Sequence, residues 1–269
     1  MKRNYLSIAL LLVMILVTSI IACQSTENDD SLLNENLYSY EQVGAIHNEG
    51  LEYVFKELVS YKSKARSNFS FSSDLLQTLS SKAVSEFLAK KQVLLPNSRA
   101  SRTTYSIAEV RNMLNKDQRK YYNKLMNVFF DRNLNYEETQ LSIVNITMKI
   151  KKNLSTIEAD PLLYGASVAK YTAEYWHSNW AKWHIELGDG KKFICSSLTN
   201  SRNTPESDND FSWKEVGAQD VSGAIGGAVG GAIVGGMAGG VGAGPGAATG
   251  GIGGGIGNSV ASIIGQLIN

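Results

Sequence analysis

From Val221 to Asn269 the chain carries no charged side chain and holds 19 of its 25 glycines. Glycine recurs at every fourth position through Gly223, Gly227, Gly231, Gly235 and Gly239, and Ile225, Val229, Ile233, Met237 and Val241 keep the same interval two residues later. Positions four apart share a face of a helix, so the pattern lays a glycine groove beside an apolar ridge. Each glycine costs about 1 kcal/mol relative to alanine in a water-exposed helix, which makes a lone helix here untenable. A flexible glycine-rich linker is the alternative, but a linker has no reason to hold β-branched residues in phase.

The second half repeats the design. Ile252, Ile256, Val260, Ile264 and Ile268 run at four-residue intervals beside Gly246, Gly250 and Gly254. Gly244-Pro245-Gly246 breaks the pattern and predicts a turn between two segments, 221–243 and 247–268. Each would be about 33 Å long as a helix, close to the roughly 30 Å of a bilayer's hydrocarbon core. The expectation is a helical hairpin of membrane type that inserts or oligomerises. The first segment has few large apolar residues, so insertion as a single helix is marginal and packing must supply the rest.

The opposite end predicts how the chain is delivered. Lys2 and Arg3 precede an apolar run from Leu6 to Val17 and then small residues, the layout of a secretory signal peptide over residues 1–22. Ile20-Ile21-Ala22-Cys23 resembles the lipobox of bacterial lipoproteins. That resemblance implies cleavage before Cys23, acyl chains such as palmitate on that residue, and attachment to a membrane of the cell envelope. Residues 23–36 are polar and acidic and read as a flexible tether, similar to the surface-export signals of Bacteroidetes lipoproteins, so the periplasmic and surface faces of the outer membrane both stay open. The second cysteine, Cys195, has no intramolecular partner once Cys23 is an anchor, so no disulfide is expected.

Residues 37–187 predict an all-α domain. Tyr40 to Lys64 sets Val43, Ile46, Leu51, Val54, Phe55 and Leu58 on one face, and a helix capped by Ser73 or Asp74 carries Leu75, Leu76, Leu79, Ala83, Val84, Phe87 and Leu88. Four capping boxes follow at the required spacing: Ser106 with Glu109, Asn115 with Gln118, Asn135 with Glu138, and Ser155 with Glu158. The helix after Asn115 carries Leu125, Met126, Phe129 and Phe130, and the one after Asn135 carries Leu141, Val144, Met148 and Ile150. Asp160-Pro161 is expected to start the last helix, which bears Trp176, Trp180 and Trp183 along one side. Those indoles suit either a core or an interfacial belt. With Trp213, which closes the polar linker 188–220, they are candidate interfacial aromatics.

Little in the chain points to chemistry. Glu174, His177 and His184 share a helix face without any zinc-site spacing, and His47 beside Glu49 reads as a helix-surface histidine with no matching nucleophile. No phosphate-binding loop or cofactor motif is present. Without the leader, 24 basic residues face 25 acidic ones, a balance that gives nucleic acid no support. Lys56 to Arg132 alone holds 15 basic and six acidic residues, a local surplus suited to a solvated helix surface or to an anionic membrane.

A lipobox joined to repeated Gly-x-x-x-Gly segments resembles glycine-zipper outer-membrane lipoproteins, and the tail alone resembles the zippers of pore-forming bacteriocins. The layout, with His47-Asn48-Glu49-Gly50-Leu51, Tyr175-Trp176 and Asp220-Val221-Ser222-Gly223-Ala224, is similar to lipoproteins of gut Bacteroidetes, a likeness that implies no particular activity. The expectation is therefore a non-enzymatic envelope lipoprotein without cofactor or metal, whose partners are membrane lipid and, through the zipper, itself. A bacteriocin-like membrane-damaging effector is the alternative.

Overall fold

A helix begins most readily where a short polar side chain can satisfy its first free amides, and Ser39, Ser72, Ser106, Asn115, Asn135 and Ser212 each accept from an amide of the turn that follows. The computed structural model describes residues 39–65, 69–91, 104–188, 212–237 and 243–268. Among the described residues there are eight helices and no strand. They are α1 (Tyr40–Lys64), α2 (Ser73–Lys90), α3 (Ile107–Met113), α4 (Lys116–Phe130), α5 (Tyr136–Asn153), α6 (Thr156–Leu187), α7 (Trp213–Met237) and α8 (Ala243–Ile268). Ser106, Asn115 and Asn135 form capping boxes with Glu109, Gln118 and Glu138, and the amide and hydroxyl of Ser155 both donate to Glu158. A further box, Ser39 with Gln42, opens α1. At the other end of α6, Lys62 donates to the carbonyls of Glu186 and Gly188, a cation where the helix dipole is negative.

Four boundaries differ from the sequence reading. α2 is capped by Ser72, whose Oγ accepts from the Leu75 amide, rather than by Ser73 or Asp74. Ser155 starts α6, so Pro161 lies inside a 32-residue helix. The carbonyl that Pro161 leaves without a donor belongs to Ile157, whose residue is 86% exposed in the first turn of the helix. The polar linker ends early, because α7 begins at Trp213. Pro245 is the third residue of α8 rather than the centre of the turn; its missing N–H is one that the first turn would leave unpaired in any case. Residues 238–242, between the two helices, lie outside the described residues, as do Gly239 and Pro96 to Ser101.

The tail is the middle of the fold. α7 and α8 run antiparallel as a hairpin, with α1 and α2 packed on α8, α3 and α4 on α7, and α6 touching both. The buried side chains fall into two cores on either side of this centre. One joins Val43, Leu51 and Val54 of α1, Leu76 and Phe87 of α2 and Trp176 and Trp183 of α6 to Ile252 and Ile256 of α8. The other joins Leu125 and Phe129 of α4, Ile143 and Ile150 of α5 and Leu162 of α6 to Val221 and Ile225 of α7. Among the described residues no helix is long and apolar enough to cross a membrane.

Of the four residues expected on the buried face of α5, only Ile150 is buried. Ile143, Ile146, Ile150 and Thr139 are buried, whereas Leu141, Val144 and Met148 face outward. Phe130 of α4 is also exposed.

Candidate functional site

The zipper glycines engage one another. A Cβ on Gly223 would meet the carbonyl oxygen of Gly254, one on Gly227 that of Gly250, and one on Gly231 that of Gly246. These three rungs fall one helical turn apart in antiparallel register, and at each rung only a hydrogen fits between the backbones. Gly235 lies further along α7, and Gly239 lies outside the described residues.

The outer faces of the hairpin are held by polar contacts as well as apolar ones. The side-chain amide of Asn258 accepts from the Tyr105 amide at 2.8 Å and donates to the Tyr105 carbonyl at 2.6 Å, closing a two-bond pair with the backbone ahead of α3. Ser222 faces the hydroxyl of Tyr122 at 3.2 Å.

The densest polar group centres on Asp220, the one carboxylate in the core among the described residues. Its Oδ2 accepts from the Thr172 hydroxyl and from Trp176 Nε1 at 3.0 Å, and His47 Nε2 lies 3.8 Å away. Trp176 Nε1 also reaches Ser259 Oγ at 3.3 Å. Side chains from α1, α6, α7 and α8 thus meet at one point, and His47, Thr172, Asp220 and Ser259 have no exposed surface. Burial raises Asp220 from 3.8 to about 7, against the pull of hydrogen bonds from Ser259, Thr172 and Trp176. Burial lowers His47 from 6.5 to about 4, opposed by its contacts with Asn48 and the Gly255 backbone. Both groups are therefore neutral near pH 6, and the pair holds one proton. The cluster is closed to solvent, so its chemistry is that of a polar tie between helices rather than of a site that turns over a substrate.

The open surface carries a large groove, of about 800 Å³, between α1, α2 and α6. Glu49, Glu52, Glu174, Tyr53, Tyr171 and Tyr175 contribute to its lining. Glu52 is held by Lys182 at 3.2 Å and by Lys56 at 3.5 Å, and Glu49 pairs with Lys91, so much of this negative charge is met within the chain.

The candidate residues scatter. Trp176 and Trp183, which suited either a core or an interfacial belt, are fully buried, with ring centres 5.3 Å apart and the Trp183 N–H donating to the Tyr175 hydroxyl. Trp180 and Trp213 are partly buried; Trp213 sits edge-on to His177 and Phe129. His177 stacks on Tyr136 at 4.5 Å, and among the described residues no three His, Cys, Asp or Glu side chains are placed to hold a metal ion. His47 is a core residue rather than a surface one, because Gly44 and Gly50 bring α1 against Tyr171 of α6 and Ile256 of α8. Cys23 and Cys195 lie outside the described residues.

Asp220, Thr172 and Ser259 escaped the sequence reading. A signal existed: Val216, Asp220, Gly223 and Gly227 follow one helical face, so Asp220 is in phase with the zipper that it precedes. No protein family, curated protein or solved structure matches the chain.

Proposed function

We propose that the chain is a non-enzymatic lipoprotein of the cell envelope, tethered through acyl chains on Cys23, with a structural or interaction role exercised by the helical domain. The observation that carries this reading is the enclosure of the glycine-rich hairpin: its glycine faces are spent on each other, and its ridges of Ile225, Ile252 and Ile256 are buried among α1, α2, α3, α4 and α6. In that arrangement the zipper is the spine of the domain, and the lipid on Cys23, not the hairpin, tethers the protein to the outer membrane. Fractionation tests it. The wild-type protein should stay with membranes after an alkaline wash, and a Cys23→Ser variant exported by an unlipidated signal should be released. Retention of the variant would replace this reading with insertion of the hairpin.

A second reading, a bacteriocin-like effector acting through the tail, is favoured by one feature. The hairpin is joined internally by backbone contacts at the glycine rungs but to its sheath mainly by side chains, so the two helices can leave the sheath as a unit. Release of dye from anionic liposomes by the full chain at micromolar concentration would support it. Intact liposomes would remove it.

A further inference from the structure

α5 carries two apolar stripes, and only one is used by the fold. Ile143, Ile146 and Ile150 enter the core, while Leu141, Val144 and Met148, spaced three and four apart on the opposite side, are 62%, 43% and 56% exposed. One turn beyond Met148, Lys151 and Lys152 flank the stripe on either side and are exposed, as is Lys149. An outward apolar stripe ending in lysines is the arrangement of a helix that lies in the headgroup layer of a bilayer. We propose that this face of α5 is a docking surface for an anionic lipid bilayer, with Leu141, Val144 and Met148 entering the acyl boundary and Lys151 and Lys152 meeting lipid phosphates.

Two further observations select lipid over a protein partner. The first is charge, which is polarised along the stripe: exposed Glu137 and Glu138 stand before its N-terminal end and the lysines at its C-terminal end, so the lysine end is the one that meets an anionic surface, whose headgroups attract each nearby cation independently of sequence. The second is the entry of the chain. Glu41, two residues after the cap of α1, pairs with Lys170 Nζ at 3.1 Å, and the Lys170 carbonyl accepts from Gln140 of α5 at 2.9 Å. The domain's first described residues are therefore linked to the N-terminal half of α5 through Lys170 of α6. Fifteen residues separate Cys23 from Ser39, a maximal reach of about 50 Å. A lipid on Cys23 would keep this face within range of the membrane and convert weak docking into persistent docking through high local concentration.

The proposal extends the tethered-lipoprotein reading, and its test is independent of that reading because the protein used carries no acyl group. The full chain with Cys23→Ser is mixed with vesicles of phosphatidylcholine alone or with phosphatidylglycerol added, and bound protein is measured by sedimentation. Binding is expected to the anionic vesicles and to weaken with salt. Leu141→Ser/Val144→Ser/Met148→Ser and, separately, Lys151→Glu/Lys152→Glu should each reduce it by about tenfold or more. Ile185→Ser, at an exposed apolar residue of α6, should leave it unchanged. All these positions are exposed, and circular dichroism checks that each variant is folded. Absence of binding by the chain changed only at Cys23 overturns the proposal. So does binding that survives the stripe variant, which would point to the hairpin, or a dimer of the chain in solution that the stripe variant dissociates, which would make the occupant a second copy.

Discussion

His47 and Asp220 lie 3.8 Å apart in a region closed to water, each shifted in the direction that keeps it neutral. Taken singly, the shifts act on stability with opposite signs. A histidine lowered from 6.5 to about 4 leaves the unfolded chain binding the extra proton in that window, so stability is lost on acidification. A carboxyl raised from 3.8 to about 7 leaves the folded chain holding the extra proton, so its contribution is full below 3.8 and is lost as pH rises through 7. Together the folded pair holds one proton between about pH 4 and 7, and the unfolded pair, with its proton on histidine, holds one over nearly the same range. The wild-type pair should therefore add almost no slope to stability between pH 4 and 7. Asp220→Asn should expose the histidine's share, a loss of about 3 kcal/mol relative to wild type on going from pH 7 to 4. His47→Leu should expose the carboxyl's share, a loss of about 4 kcal/mol on going the other way. Urea midpoints of the three chains across that range decide it, and slopes of the same sign in both variants would refute the shared proton. Neither residue was legible as a core group, because hydropathy sets a histidine and an aspartate on the surface. Only the partners that meet them, Thr172, Trp176 and Ser259, reverse that assignment, and these come from helices distant in the sequence.

At the scale of single helices, local chemistry was readable, and so was facing in α1 and α2, but not in α5. The polar caps could be found by spacing because a capping box is closed within four residues and owes nothing to the rest of the chain. α5 shows the converse. Leu141, Val144 and Met148 and the set Ile143, Ile146 and Ile150 satisfy helical periodicity equally well, and the neighbours α4 and α6 choose between them. The glycines of the hairpin also divide by neighbour rather than by type. Gly250 faces the carbonyl of Gly227, so Gly250→Ala should destabilise by about 1–3 kcal/mol through overpacking, despite the better helix propensity of alanine. At Gly265 an added methyl would meet no atom within 4 Å, so Gly265→Ala should stabilise by up to about 1 kcal/mol. Gly253, where the nearest atom is Leu88 Cδ1 at 3.4 Å, should fall between them. Thermal melts of the three variants give the order. Equal shifts for all three would mean that the glycines act through propensity alone and that the rungs carry no packing energy.

Across the whole molecule, the tail packs with the helices before it in one compact unit. The phase of glycine and large residues identified two helices and their pairing, but a sequence period cannot say whether the apolar ridges meet lipid or protein. Here they meet protein: α8 supplies Ile252, Ile256, Val260 and Ile263 to one core, and α7 supplies Ala218, Val221 and Ile225 to the other. The consequence is a prediction about truncation. A chain stopped after Leu187 keeps α1 to α6, the part that reads as an independent domain, yet loses the surface against which α1, α2, α3, α4 and α6 close. What remains would present the buried faces of Leu51, Phe87, Val110, Phe129 and Trp176 to water, with Trp176 deprived of both Asp220 and Ser259 as acceptors. Secondary structure should persist in part, since the caps are local. Cooperative melting and near-ultraviolet dichroism of the tryptophans should be lost, and a dye that binds exposed apolar surface should bind strongly, the behaviour of a collapsed chain without fixed packing. A truncated chain that instead melts cooperatively at the temperature of the full one would restore the two-domain division and return the hairpin to the membrane.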